Sequence, residues 1–460
     1  MKKIVIFFLC IATSFTYSQN NLNELTFEEF LGYVKKAHPL VKQADLKITE
    51  AQAKLMKARG GFDPKLEADY NEKQYTDKNY YSVFNGSFKV PTWYGIEIKA
   101  AFDNSEGIFI NPENTLPNSG LTSLGISVPL GQGLWINERM ADLRKAKIYQ
   151  KVNEAERKIM LTNVLYEASQ SYINWKRSYD EVELYEDYLK NATIRYKGVT
   201  ILIEEGDKPA IDSIEAGITV KNRLLNLENA NLKLLKSKLA LSNYLWSEDE
   251  TPLELEDNIQ PESKIEKQFL FSLKIDGFQD FNIENHPKIE ALNQKIEILN
   301  VERRLFANSI LPKLNVNYNY LSEPSAFDNY RLNDYKLGVS FSFPLFLRKE
   351  RANLKLAKIQ VSDSKYALDF EQQSLISKIE SQKGEINSFK KQIKLNTELV
   401  NSYSIMLNAE ERLFQMGESS IFLINSRENS LVTAQLSNIA LENSYLKAAL
   451  ELFKTMANPE

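Results

Sequence analysis

The sequence is almost without cysteine: Cys10 is the only one among 460 residues. Cys10 lies in an apolar run that follows Lys2 and Lys3, and residues 1–18 show the basic, apolar and small-residue regions of a secretory signal peptide. Leu9 precedes Cys10 where a lipoprotein signal needs a small residue, so lipidation is not expected. Cleavage of the signal peptide would remove this cysteine. We therefore expect a mature chain without disulfides, thiol nucleophiles or cysteine-bound metal.

Glycine (17) and proline (14) are also scarce, which favours long helices over an all-β protein. After the predicted signal peptide, no apolar run reaches the roughly eighteen residues that a transmembrane helix needs. A secreted chain of this kind is either soluble or crosses the outer membrane as a β-barrel. Charges of both signs are interspersed, and the formal net charge of −4 gives no indication of nucleic-acid binding.

Patterns typical of enzymes are missing as well. There is no Ser–His–Asp order beyond chance, no paired-histidine spacing and no glycine loop in the context that binds phosphate. The sequence therefore predicts neither catalysis, nor a cofactor, nor a metal site.

What the sequence does contain is a long internal repeat. Residues 37–71 align without a gap with residues 285–319, and His38-Pro39 and His286-Pro287 lie 248 residues apart. Later landmarks recur at a smaller spacing, so the first copy carries extra residues in its strand region. We predict these parts of the chain: signal peptide 1–18, first repeat 19–246, linker 247–284 and second repeat 285–460.

Each His-Pro pair is interpreted as the start of a helix. Proline is tolerated in the first helical turn, where its missing N–H group would have no partner in any case. The alternative is a metal site formed by both histidines, which would require the equivalent ends of the two copies to meet.

Alternating apolar and polar residues predict strands at about 63–130 in the first copy and about 312–345 in the second. Their apolar faces are rich in tyrosine and phenylalanine, and their length of about ten residues suits a tilted membrane strand. A soluble sandwich is the alternative, but few other strands are available for its second layer. The sequence leaves open whether residues 81–119 form an outer loop or add strands.

Two long proline-free segments, 134–205 and 347–416, predict helices of about 100 Å. Shorter helices are predicted at 26–59 and 209–246. Apolar residues recur every seven positions, which predicts a left-handed supercoil of paired helices; they are Ile211, Ile218, Leu225, Leu232, Leu239 and Trp246, and Ile379, Ile386, Ile393, Val400, Leu407 and Phe414. The second position of the seven-residue repeat holds both polar and apolar residues. This favours helices that curve round a water-filled interior over a tightly packed two-stranded coiled coil.

The order of these elements resembles the TolC-like outer membrane efflux proteins. The resemblance is carried by the strand-to-helix junction SVPLGQGLWINERMADLRKAKI and by two helix tips, RYKGVTILIEEGDKPAIDSIEA and RLFQMGESSIFLINSRENSL. It covers nearly all of the mature chain. The chain departs from the family in its enlarged first strand connection and in lacking the lipidation cysteine that some members have.

This resemblance implies a mainly α protein with membrane β structure, assembled as a homotrimer. A shared β-barrel of twelve strands in the outer membrane would continue into a periplasmic α-helical barrel. Four strands in each chain would leave open edges that lipid does not tolerate, so copies must join, and three copies give enough strands for a pore. The implied function is a passive, gated exit duct of a tripartite efflux pump or type I secretion system.

The implied partners are a periplasmic adaptor protein, an inner-membrane transporter and outer membrane lipid. At the helix tips, acidic rings would favour cations, and glycines would allow tight turns and close approach of the adaptor. The candidate residues are Glu204, Glu205, Gly206, Asp207, Glu410, Glu411, Gly417 and Glu418. The alternative is that these carboxylates only solvate exposed turns or cap the next helix.

Two other functions stay open at this point, a free-standing porin and a structural coiled-coil protein of the periplasm. The transported substance cannot be read from the sequence, because specificity in such systems usually lies in the pump.

Overall fold

The computed structural model describes residues 24–273, 281–326, 331 and 333–459. The predicted signal peptide, 1–18, lies outside these residues. The chain divides into two compact units. We call them the sheet unit, residues 40–164, 279–381 and 454–460, and the tip unit, residues 1–39, 165–278 and 382–453, in each case as far as the residues are described.

Helices account for most of the described chain. They are α1 (Phe27–Ala37), α2 (Pro39–Arg59), α3 (Glu138–Glu204), α4 (Ala210–Ser242), α5 (Glu266–Ser272), α6 (Pro287–Asn308), α7 (Arg348–Gln415) and α8 (Ile421–Met456). The strands are β1 (Glu24–Leu25), β2 (Lys65–Tyr75), β3 (Lys78–Pro91), β4 (Glu97–Glu106), β5 (Leu121–Pro129), β6 (Gln260–Pro261), β7 (Lys313–Ser322) and β8 (Tyr335–Ser342). The two long helices, α3 and α7, have 67 and 68 residues.

The predicted single helix over residues 26–59 is wrong, because the chain breaks at His38. Thr26 caps α1 by accepting a hydrogen bond from the Glu29 N–H. His38 ends α1 with an extended ψ of 131°. Pro39 is the reason, since a residue before proline is forced out of the helical region.

His286 confirms that a His-Pro pair can start a helix. Its backbone is extended, and its side chain accepts a hydrogen bond from the Lys288 N–H at 3.1 Å. The other ring nitrogen, Nε2, lies 2.8 Å from the Thr455 carbonyl oxygen, to which it donates. His286 is therefore a helix cap in the sheet unit that also ties down the C-terminal segment. Burial lowers the pKa of its imidazole.

The sheet unit contains one antiparallel sheet of six strands, in the order β2-β3-β4-β5-β7-β8. The residues whose role the sequence left open, 81–119, contain β4 and most of β3, which add strands to this sheet. The expected count of four strands in each chain is therefore wrong. Direct pairing of β5 with β7 joins the two repeats within the sheet.

Alternation along the strands gives the sheet one apolar and one polar face. A single transverse row on the apolar face runs across all six strands through Leu66, Phe88, Ala100, Leu124, Tyr320 and Tyr335. On the outer strand β8, Leu337, Val339 and Phe341 are 56%, 63% and 69% exposed within the chain. No described layer of this chain covers that apolar surface of β8.

In the tip unit, an aromatic cluster joins α1, α3 and α5. Phe27 contacts both Tyr172 and Phe269, with ring centroids 5.3 and 4.7 Å apart. The Tyr172 hydroxyl donates to the Leu25 carbonyl oxygen at 2.6 Å and accepts from the Glu262 N–H at 3.1 Å. The described part of the linker is thereby fastened to the first residues of the first repeat.

No helix among the described residues is both long enough and apolar enough to cross a membrane.

Replacing His286 with alanine removes the helix cap and the bond to Thr455, so we expect a loss of about 1–2 kcal/mol in unfolding free energy. The variant His286→Asn keeps a cap acceptor and should lose less. Because burial lowers the pKa of His286, the imidazole binds a proton less readily in the folded than in the unfolded chain. The free energy of unfolding should therefore fall as the pH drops below about 6.5. Thermal unfolding in detergent at pH 7.5 and 5.5 measures both effects. An equal pH response in wild type and His286→Asn would contradict this role.

Candidate functional site at the helix tips

The turn between α3 and α4 is a tight helix ending built around a glycine. The Gly206 N–H donates to the Ile203 carbonyl oxygen at 3.1 Å, and the Asp207 N–H donates to that of Leu202 at 2.8 Å. Gly206 has a φ of +87°, a left-handed conformation that glycine adopts without strain. This pair of bonds is the Schellman motif.

The second tip, between α7 and α8, repeats this geometry. The Gly417 N–H donates to the Phe414 carbonyl oxygen at 3.1 Å, and the Glu418 N–H to that of Leu413 at 2.9 Å. Gly417 has a φ of +81°. The matching bonds show that the sequence repeat extends to the hydrogen bonds of the two turns.

Open space surrounds both glycines. A Cβ atom placed on Gly206 or Gly417 would meet no heavy atom within 4 Å. Conformation, and not packing within the chain, therefore accounts for glycine at these two positions. The space leaves room for another chain to approach the turns.

The candidate carboxylates fall into two groups. Glu204, Glu205, Asp207 and Glu418 are exposed. The half-buried pair is engaged inside the chain instead: Glu410 accepts from Ser419 and lies 3.5 Å from Arg427, and Glu411 lies 3.4 Å from Arg195. Only the exposed group presents unengaged carboxylates at the turns, as far as the described contacts show.

Capping of the next helix does not explain the exposed group. Pro209 occupies the N-cap position of α4 and provides no side-chain bond. At the start of α8, the Ser420 hydroxyl accepts from the Leu423 N–H at 3.4 Å. Asp207 and Glu418 lie before these cap positions.

Below the tips, a buried charged cluster joins four helices, and the sequence analysis missed it. Glu428 on α8 is 1% exposed. Its carboxylate accepts hydrogen bonds from Arg195 of α3 at 3.1 Å and from Arg223 of α4 at 3.4 Å. Arg195 reaches α7 through Glu411. Arg223 also donates to Asn429 at 2.6 Å.

The same cluster contains Tyr188, whose ring lies 5.6 Å from the Arg223 guanidinium carbon. Burial, together with the charge of Glu428, raises the pKa of Tyr188 to about 12. The phenol therefore stays neutral at physiological pH and donates to Gln435 of α8. Charged and polar contacts, beyond apolar packing, hold α3, α4 and α8 together here.

The predicted seven-residue seam of α4 is not the face that this chain buries. Ile211, Ile218, Leu225, Leu232 and Leu239 are between 51% and 64% exposed. The buried face carries Ala216, Arg223 and Ala230, also seven residues apart. We call the five exposed residues the α4 stripe. The seam on α7 differs, because Leu407 is buried against Ile424 and Leu431 of α8.

The described residues contain no cluster of three or more histidine, cysteine or acidic side chains suited to bind a metal ion.

Several solved structures of outer membrane proteins are similar to this chain. The chain shares its fold with the Campylobacter jejuni CmeC outer membrane channel, at 14% identity and a TM-score of 0.63 over 93% of this chain and 85% of that one. It also resembles the open state of the Neisseria gonorrhoeae MtrE outer membrane channel, at 13% identity and a TM-score of 0.65 over 94% of this chain and 89% of that one. The Vibrio cholerae outer membrane protein VceC is similar at 14% identity and a TM-score of 0.65, over 94% of this chain and 95% of that one. The chain therefore shares its fold with these three proteins.

Part of the sequence also matches a protein-family model. Residues 282–458 match the family model described as outer membrane efflux protein. A comparison with curated proteins finds no significant match. The family match over the second repeat and the shared fold over the chain confirm the resemblance to the TolC-like outer membrane efflux proteins.

Removing the negative charge of Glu428 leaves two arginines in the cluster without their central partner. Breaking a buried pair in this way costs about 3–5 kcal/mol, so we expect Glu428→Gln to lower the unfolding temperature of the protein strongly. Glu418→Gln is the matched control, since an exposed carboxylate should change stability by no more than about 0.5 kcal/mol. Circular dichroism melting in detergent compares the two. Equal melting temperatures would show that the cluster does not hold these helices.

Proposed function

We propose that this protein is the outer membrane channel of an efflux or type I secretion system and provides a passive exit duct with a gated periplasmic end. The observation that carries the proposal is the six-stranded sheet, with an apolar face exposed on its outer strand and two edges that no described strand pairs. The fold and the family match support the same function. The duct works without catalysis, cofactor or metal.

Lipid is the environment that the sheet requires. Exposed large apolar side chains recur along the strands, for example Leu66, Phe88 and Phe341. In water such a surface would drive aggregation, whereas against hydrocarbon it stabilises the inserted state. The opposite face is rich in lysine, asparagine and serine, which suits an aqueous passage.

Joining of copies satisfies the edges. β2 and β8 each have one partner strand in the described chain, and a lipid-exposed edge would leave N–H and C=O groups unpaired at several kcal/mol each. A homotrimer, as the resemblance implies, would supply six strands from each copy and close an eighteen-stranded barrel. The inserted strands β3 and β4 therefore widen the barrel beyond the twelve strands expected from the sequence.

The α4 stripe supports association in the tip unit. Five apolar side chains at seven-residue spacing, all exposed in the single chain, form the seam that a helix of another copy would cover. The buried face of α4, with alanines on either side of Arg223, packs within its own chain. Covering the α4 stripe therefore needs no rearrangement of the chain.

The tips are the proposed aperture and the proposed docking surface for a periplasmic adaptor, which links the duct to an inner-membrane transporter. Glu204, Glu205, Asp207 and Glu418 supply exposed negative charge there, and Gly206 and Gly417 leave open space. Glu410 and Glu411 contribute differently, because their ion pairs hold the helices below the turns.

The test is purification of the mature chain in detergent, followed by single-channel recording in a planar bilayer. We expect heat-modifiable migration on gels and discrete conductance steps. A monomer that stays soluble without any amphiphile would contradict the proposal, and a permanently open pore would favour a free-standing porin. Joint replacement by Asp207→Asn and Glu418→Gln should lower the permeability for cations relative to anions, because negative charge at an aperture attracts them. The exposed helical variant Glu228→Gln is the control and should leave the ratio unchanged.

A further inference from the structure

The register of the sheet places four lysines on one line across its polar face. Lys65 on β2 lies opposite Lys89 on β3, which lies opposite Lys99 on β4. The line continues through Gly125 and Asn319 and ends at Lys336 on β8. We call Lys65, Lys89, Lys99 and Lys336 the lysine row.

Stability does not account for the lysine row. Adjacent strands are about 4.8 Å apart, and like charges directly opposite one another destabilise a sheet. Two such lysine–lysine oppositions occur side by side on β2, β3 and β4. Opposite charges in these positions would favour folding, so three neighbouring lysines indicate a use for the positive charge.

Carboxylates on the same face offset the row only partly. The strand residues of the polar face include six lysines against four carboxylates; these are Lys65, Lys73, Lys89, Lys99, Lys313 and Lys336, and Glu67, Asp69, Glu97 and Asp103. Among the described ion pairs, one involves a lysine of the row: Lys89 Nζ lies 2.5 Å from the Glu67 carboxylate. Glu97 is engaged elsewhere, 2.8 Å from Arg139. Lys65, Lys99 and Lys336 are exposed.

A glycine completes the polar line between the lysines. A Cβ atom on Gly125 would come within 1.9 Å of the Asn319 side-chain oxygen. The Asn319 amide therefore lies over β5 in the space that any other residue would fill. This amide keeps the line polar from β4 to β8.

We propose that the lysine row is an anion-selecting ring that favours passage of solutes with carboxylate or phosphate groups. The inference rests on the proposed function, because a closed barrel with its polar face inward is what places the row in the passage. Three copies would bring twelve ammonium groups into the passage, spread along its axis because the strands of a closed barrel are tilted. A ring of one charge sign in a narrow aqueous site concentrates the opposite ion and excludes ions of its own sign.

The experiment uses the full chain in a Cys10→Ser background, with bilayer recording across a potassium chloride gradient and then across a potassium glutamate gradient. Neutralisation by Lys65→Gln, Lys89→Gln, Lys99→Gln and Lys336→Gln together should lower the anion-to-cation permeability ratio about threefold or more. The control is Lys73→Gln with Lys313→Gln, two lysines on the same face but outside the row. The control should change the ratio far less.

A second variant guards against misfolding of the fourfold replacement. Lys99→Cys introduces the only thiol into this background, and a methanethiosulfonate reagent with an ammonium group should raise the anion-to-cation permeability ratio back towards the wild-type value. The reagent with a sulfonate group should lower it further.

The outcomes separate the inference from the function on which it rests. An unchanged permeability ratio after neutralisation, or an equal shift in the control, would overturn the role of the row while the pore itself stands. Equal effects of the two thiol reagents would overturn it as well. The absence of any conductance in the wild type would instead overturn the proposed function.

Discussion

Unpaired backbone groups at the two outer strands are the constraint on which this structure depends. β2 and β8 each hydrogen-bond to one neighbour in the described chain, so each presents a free row of N–H and C=O groups. In hydrocarbon these groups have no water to bind, and only another strand can satisfy them. The strands are antiparallel and even in number, so β2 and β8 run in opposite directions. A second copy can therefore continue the antiparallel pattern.

In the tip unit, the α4 stripe also lacks a partner in the described chain. What it leaves exposed is apolar surface, whereas the sheet edges leave hydrogen-bonding groups. Its side chains lie on the face of α4 that the chain leaves open, while Ala216 and Ala230 allow close packing on the other face. Burial of such a stripe gains about 25 cal/mol for each Å² removed from water. The described residues of a single copy thus leave two surfaces without a partner, the sheet edges and the α4 stripe.

Much of the fold could be predicted because it follows from local patterns. Strict alternation located the strands, and the long proline-free segments located α3 and α7. The break at His38 could have been predicted too, since Pro39 restricts the residue before it. The strand count could not, because an alternating run in an insertion reads the same in a loop hairpin and in the main sheet. Pairing partners decide between the two, and they are set by tertiary contacts.

The candidate site was predicted less completely. The glycines of both tips were visible because left-handed turns need them, but the ion pairs of Glu410 and Glu411 depend on helices far apart in sequence. Arg223 and Glu428 lie 205 residues apart, and no local pattern connects them. The apolar seven-residue repeat on α4 predicted a packed seam, but the described chain leaves this face exposed. It could not show whether the seam is covered by the same chain or by another, because periodicity identifies a face and not its partner.

Closure of the sheet between copies is the central claim, and disulfide cross-linking tests it most directly. In a Cys10→Ser background, Val339→Cys on β8 is combined in turn with Leu66→Cys, Ala68→Cys and Tyr70→Cys on β2, which scans the unknown register of the joint. Val316→Cys with Val339→Cys is the positive control, because these residues are partners within one chain. We predict that at least one edge pair yields covalent oligomers up to a trimer on denaturing gels. Cross-linking in the control with monomers throughout the scan would contradict the account.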